Sequence, residues 1–161
     1  MSVNEVRKHF TARGLQDPVF KLDESGATVE MAAKTLGVDP ALIAKTLAFK
    51  VKDKNVLIVA RGDSRIDNKK YKQFFNAKAK MLEHDEVLEV TGHPVGGLCP
   101  FGLKTDLEVY LDISIKDFNY VYPAAGAKDF ALKISPRDME TITNSVWIDV
   151  CQSFNNLNNE Q

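Results

Sequence analysis

The sequence is short of the residues that build most specialised sites. It has two cysteines, Cys99 and Cys151, far apart and in no CxxC pair. That argues against a disulfide framework or a thiolate zinc site. The three histidines, His9, His84 and His93, have no metal-ligand spacing either, so no metal is expected. No apolar run approaches the roughly 18–20 residues of a membrane span. The opening MSVNEVRKHF is polar and does not read as a signal peptide, which leads to the expectation of a soluble, cytoplasmic protein without membrane contact. The net charge is −1, so any nucleic-acid contact must come from a local patch and not from a global field. Neither GK[ST] nor G-x-G-x-x-G occurs, which removes the P-loop and the dinucleotide fingerprint. No repeat or linker is visible.

What is present is an ordinary globular composition, 44% hydrophobic and 27% charged over 161 residues. The length predicts a single domain over 1–152 with a polar, frayed tail at 153–161. Ser2 and Glu5 read as a capping box before a helix carrying Val3, Val6 and Phe10. Thr28 caps a helix that Gly37 stops, and Asp39-Pro40 starts another, ending near Lys45. TLAFKVK and NVLIVARG, joined by DKN, read as a hairpin. Asp67 caps a helix with Tyr71, Phe74 and Phe75; AKMLE reads as a strand, and HDEVLEVTG as a helix closed by Gly92. LEVYLD, two strands within 119–135, a helix capped by Ser135-Pro136 and the strand VWIDV complete the pattern. Hairpins mixed with short helices predict α+β, with a mixed, strongly bent, barrel-like sheet.

The stretch GHPVGGLCPFG, residues 92–102, holds four of the nine glycines and two of the six prolines. Gly96-Gly97 gives the backbone unusual freedom, and Pro94 and Pro100 stiffen either side. Such a ribbon can turn successive N–H groups toward one point and hold an anion or a developing oxyanion; read alone, a tight structural turn is the commoner use of such a loop. Lys45, among Ile43, Ala44 and Leu47, is placed to hold its ammonium in a partly dry pocket or to snorkel at the surface. Cys99 with His93 allows a nucleophile–base pair, although a small packing role for Cys99 is preferred.

Lys45-Thr46-Leu47, VARGDSRIDNKKY (59–71), GHPVGGLCPFG and VYPAAG (121–126) occur together, in this order, in the YbaK/EbsC family. The sequence resembles these aminoacyl-tRNA editing domains, related to the insertion domain of bacterial prolyl-tRNA synthetases, from about residue 15 to 150. The resemblance implies a barrel-like mixed sheet and hydrolysis of the ester of a mischarged tRNA, often Ala- or Cys-tRNA-Pro. It implies aminoacyl-tRNA as substrate and prolyl-tRNA synthetase as a candidate partner, with no cofactor expected; because 161 residues leave no room for a synthetase catalytic or anticodon-binding segment, action in trans is expected. Lys45, Gly96 and Gly97 would carry the chemistry. Thr46, Leu98, Cys99, Pro100, Phe101, Gly102, Ala125 and Gly126 would line the substrate site. Arg61, Arg65, Lys69 and Lys70 would touch tRNA, with a surface loop and solvated helix face as the alternative. Some relatives carry an acidic pocket residue where Ala131 stands, with Asp129 nearby. A non-catalytic tRNA-binding or nucleotide-binding module, and a thiol hydrolase using Cys99, stay open as competing readings.

Overall fold

The computed structural model describes residues 2–153; the rest of the expected tail lies outside them. Helix α1 spans Ser2–Thr11, strand β1 Phe20–Lys21 and helix α2 Val29–Leu36. Thr28 Oγ1 accepts from Met31 N at 3.2 Å, and Gly37 ends α2 with φ 70°. Ser2 sits inside α1, and its hydroxyl pairs with His93 instead of capping its own helix.

The central layer is a curled five-stranded sheet built on the hairpin β2 (Ile43–Val51) and β3 (Lys54–Arg61). These two are antiparallel, and Lys52 turns the chain with φ 58°. Strand β4 (Glu108–Asp112) joins β3 in parallel, β7 (Val146–Ile148) joins β4 in parallel, and β5 (Tyr122–Pro123) joins β2 in parallel. The order is β5-β2-β3-β4-β7. Strand β6 (Phe130–Ala131) pairs with β1 in a separate two-stranded ribbon.

Side chains alternate across a strand, and the burial follows. Ala44, Ala48, Leu57 and Val59 face one core, with Phe10, Leu98 and Phe101. Phe49, Val51, Val56 and Ile58 face a second, under Tyr71 of α3 (Asn68–Phe75). Both faces of β3 are covered, which is why its sequence is continuously apolar. Helices α4 (His84–Thr91) and α5 (Pro136–Thr143) complete the fold.

Three elements differ from expectation. The Asp39-Pro40 helix is a single 3-10 turn, Pro40–Leu42, and Ile43 already begins β2. Lys45 is therefore a strand residue, held in register opposite Ala60. AKMLE contributes only a bridge, Phe49↔Met81, to the edge of β2. The strands in 119–135 are two residues each, and in β5 Pro123 has no N–H to extend the ladder.

Candidate active site

The outer edge of β2 is where the site forms. Beside Ala44 the edge is covered by β5, and from Ala48 it is covered by the 80–82 segment. Between them opens a small cleft of about 90 Å³. Lys45 reaches it from one face of the strand and Thr46 from the other. Gly96 and Leu98 of the glycine ribbon line the same cleft, so residues of both motifs meet there. The remaining walls are mostly small and apolar: Val29, Ala32 and Leu36 of α2, with Ala124 and Ala131 opposite.

Lys45 Nζ donates to Ser64 O, which ties the side chain to the loop after β3. Burial lowers its pKa, partly offset by Cys151 and the carboxylates of Asp63 and Glu30. An ammonium carries three N–H donors, so two are left for a ligand. Thr46 Oγ1 is buried and has no hydrogen-bond partner among the described residues.

The ribbon begins as a 3-10 turn at Val95–Gly97. Gly97 N donates to Pro94 O at 2.9 Å and Leu98 N to Val95 O at 3.4 Å. The expected fan of successive amides is thus partly consumed by the turn itself, which leaves the amide of Gly96 outside it. Neither Gly96 nor Gly97 has positive φ. Space, not backbone freedom, is what Gly97 supplies: a Cβ there would lie 2.3 Å from Ala127 N. Gly126 N closes this contact by donating to Gly97 O at 2.9 Å.

Behind the ribbon, His93 is fully buried. Its Nε2 lies 2.6 Å from Phe101 O, and a carbonyl can only accept, so Nε2 carries the proton. Nδ1 then accepts from the Ser2 hydroxyl. Burial lowers the His93 pKa in keeping with this neutral ring. Cys99 Sγ is 3.7 Å from the same Nε2, which has no lone pair to offer. The thiol is fully buried and pushed up to about 12 by desolvation. This geometry gives no support to the nucleophile–base alternative for Cys99 and His93: Cys99 packs in the core instead of lining the cleft, and His93 buckles the ribbon to α1.

The other sequence candidates are dispersed. Phe101 and Ala125 are fully buried in the main core. Pro100 and Gly102 line a separate polar groove beside α1. Gly126 is buried, with φ 95°, against the backbone of Ser2. Arg61 forms a bidentate pair with Asp63 at 2.6 and 3.2 Å and lies over the Phe118 ring. Lys70 Nζ bonds Asp149 at 3.0 Å and Cys151 O at 2.9 Å. Arg65 and Lys69 are exposed. Asp129 lies 4.0 Å from Lys21 Nζ, and Ala131 takes the cleft position. Sequence reasoning missed the α2 wall, although Val29, Ala32 and Leu36 form a helical stripe that signals one buried face. It also placed Ala125 and Gly126 where Ala124 lines the cleft.

An aminoacyl-tRNA editing domain model matches residues 23–142. "Uncharacterized protein YwhH" of Bacillus subtilis is 49% identical over 156 residues, 96% of this chain and 99% of that one. "Putative Cys-tRNA(Pro)/Cys-tRNA(Cys) deacylase EbsC" of Enterococcus faecalis is 28% identical over 134 residues, 81% of each chain. The crystal structure of "a putative trans-editing enzyme for prolyl tRNA synthetase" superposes with a TM-score of 0.85 at 26% identity, covering 94% of this chain and 98% of that one. With a family model spanning most of the chain and the same fold in that structure, the protein belongs to the aminoacyl-tRNA editing domain family of the YbaK/EbsC type.

Proposed function

We propose that the protein is an aminoacyl-tRNA deacylase acting in trans, and that it hydrolyses the ester of tRNA-Pro carrying alanine or cysteine. The observation that carries this reading is the convergence of Lys45 and the Gly96 ribbon on one small cleft. An aminoacyl ester is already activated, so the site needs orientation and charge stabilisation more than a strong nucleophile. The cleft supplies those. The Gly96 amide is available to the carbonyl oxygen as it becomes an oxyanion, and the Lys45 ammonium to the phosphate and ribose end of the tRNA. Water, oriented in the site or by the ribose 2′-OH, attacks the carbonyl carbon. The ester C–O bond breaks, the ribose oxygen leaves with a proton, and the free amino acid departs.

The walls support a small substrate. Ala27, Ala32, Ala44 and Ala131 line a cleft of about 90 Å³ with short side chains, which suits a methyl or thiol side chain. A synthetase discriminates one methylene by only about 1–3 kcal/mol, so a second sieve that destroys what fits is physically warranted. Lys69, Lys72 and Lys78 line a surface groove on and after α3 and offer positive charge to the acceptor arm.

The test is a panel of charged tRNAs, with Ala, Cys and Ser on tRNA-Pro, followed for loss of the ester. Fast loss of the alanyl or cysteinyl ester supports the assignment. No loss on any charged species overturns it in favour of a binding module of the same fold.

A further inference from the structure

Strand β2 has a one-residue gap in its outer edge, and the gap opens into the cleft. Its backbone groups alternate in direction. Lys50 N donates to Lys80 O at 2.8 Å and Leu82 N donates to Ala48 O at 3.0 Å, so even-numbered residues face away from β3. By the same alternation Ala44 faces β5, and that pairing ends at Ala44↔Pro123. Thr46 falls between the two partners, with its N–H and C=O directed outward into the gap. Its Oγ1 is buried, unpartnered among the described residues, and belongs to a cleft-lining side chain. A buried hydroxyl left without a partner costs about 1–3 kcal/mol, which a ligand that satisfies it returns.

The gap therefore presents the Thr46 carbonyl oxygen and N–H at the strand edge, with the buried hydroxyl oxygen of the same residue behind them, in a cleft that Gly96 also lines. The two oxygens can accept from a small group with two donors, provided the Thr46 side chain turns its hydroxyl toward it. The α-amino group of an aminoacyl ester is such a group, one bond from the α-carbon that carries the carbonyl. The neighbouring Lys45 ammonium disfavours a second cation, so the bound form is the neutral amine. We infer that Thr46 recognises the α-amino group of the substrate: one N–H goes to Thr46 O and one to Oγ1, with the ester carbonyl toward Gly96. Thr46 is then the residue that tells an amino-acid ester from other small esters. This rests on the deacylase reading.

Nitrous-acid deamination turns alanyl-tRNA into lactyl-tRNA, which keeps the ester and the methyl group but replaces the amine with a hydroxyl. With rates normalised to spontaneous hydrolysis, the wild-type protein should prefer the alanyl ester by about fivefold to tenfold in kcat/KM, the worth of one hydrogen bond. Thr46→Val should shrink that preference at least about threefold and Thr46→Ser should restore it. A purely structural role would lower both esters together and leave the ratio alone. Equal normalised rates in the wild type, or an unchanged ratio in Thr46→Val, overturn the assignment. Binding separates it from catalysis. The non-hydrolysable 3′-alanylamino-3′-deoxyadenosine should bind more tightly than its lactoylamino counterpart in calorimetry, and Thr46→Val should erase the difference. That result upholds the role of Thr46 even where no ester is cleaved; equal affinities in the wild type overturn it.

Discussion

Gly96 and Gly97 are neighbours, yet the fold asks different things of them. A Cβ on Gly97 would meet Ala127 N at 2.3 Å, whereas one on Gly96 would sit 3.4 Å from Ala27 Cβ, an ordinary contact. Gly97→Ala should cost about 1–3 kcal/mol by overpacking, lowering Tm by several degrees in a thermal melt. Gly96→Ala should melt like the wild type and instead lose kcat/KM, because its methyl group enters the cleft. The cysteines give a second residue-scale test. Both thiols are buried and pushed up to about 12, so almost no thiolate exists near neutrality. Native protein should resist iodoacetamide at pH 8 and react at both cysteines once unfolded. His93 and His9 titrate the other way, held below the ordinary 6.5 chiefly by burial. As pH falls below 6.5 the unfolded chain gains protons that the folded one refuses, so stability should decline with acidification. A Tm unchanged from pH 7 down to pH 5 would contradict neutral rings at buried His93 and half-buried His9.

Among the elements, α1 has the most unexpected role. It lies outside residues 23–142 matched by the editing domain model, yet it grips the ribbon at both ends. The Ser2 hydroxyl meets His93, and His9 Nδ1 accepts from Gly102 N at 3.0 Å. Gly102, at φ 60°, has no room for a Cβ against the Glu5 carbonyl. The Phe10 ring packs on Phe101 with centroids 4.9 Å apart. Phe10→Ala should therefore destabilise by about 3–5 kcal/mol in denaturant titration. A loss under 1 kcal/mol would mean that α1 is not held by this contact. Most elements were legible beforehand because their signals are local. Thr28, Asp67 and Ser135 cap the helices they announce, and Gly37 and Gly92 close theirs in the left-handed region. The failures are tertiary. Nothing local shows that Ile43 leaves the Pro40 turn for a strand, or that Ser2 bonds a histidine 91 positions away.

For the whole molecule, the sequence order of Lys45-Thr46, the ribbon and VYPAAG pointed to one site, and the fold brings parts of each to one cleft. Their individual placements were not legible. Phe101, Cys99 and Ala125 carry the motif's identity but serve the core, since adjacent residues of an extended chain face opposite sides. Substrate size was not legible either, because it depends on α2 closing the far wall. The charge distribution makes a further prediction. With a net charge of −1, the proposed tRNA binding would draw on a local patch, and the lysines near α3 are the candidate for it. Affinity should fall as salt rises, and replacing Lys69, Lys72 and Lys78 with Gln should flatten that dependence in filter binding. The most direct measurement is the single-turnover rate of ester loss from Ala-tRNA-Pro for the wild-type protein and for Lys45→Ala. Rapid hydrolysis is expected for the former and a drop of about 10²-fold or more for the latter, with the melt unchanged. Equal rates for the two proteins would remove Lys45 and its cleft from the chemistry.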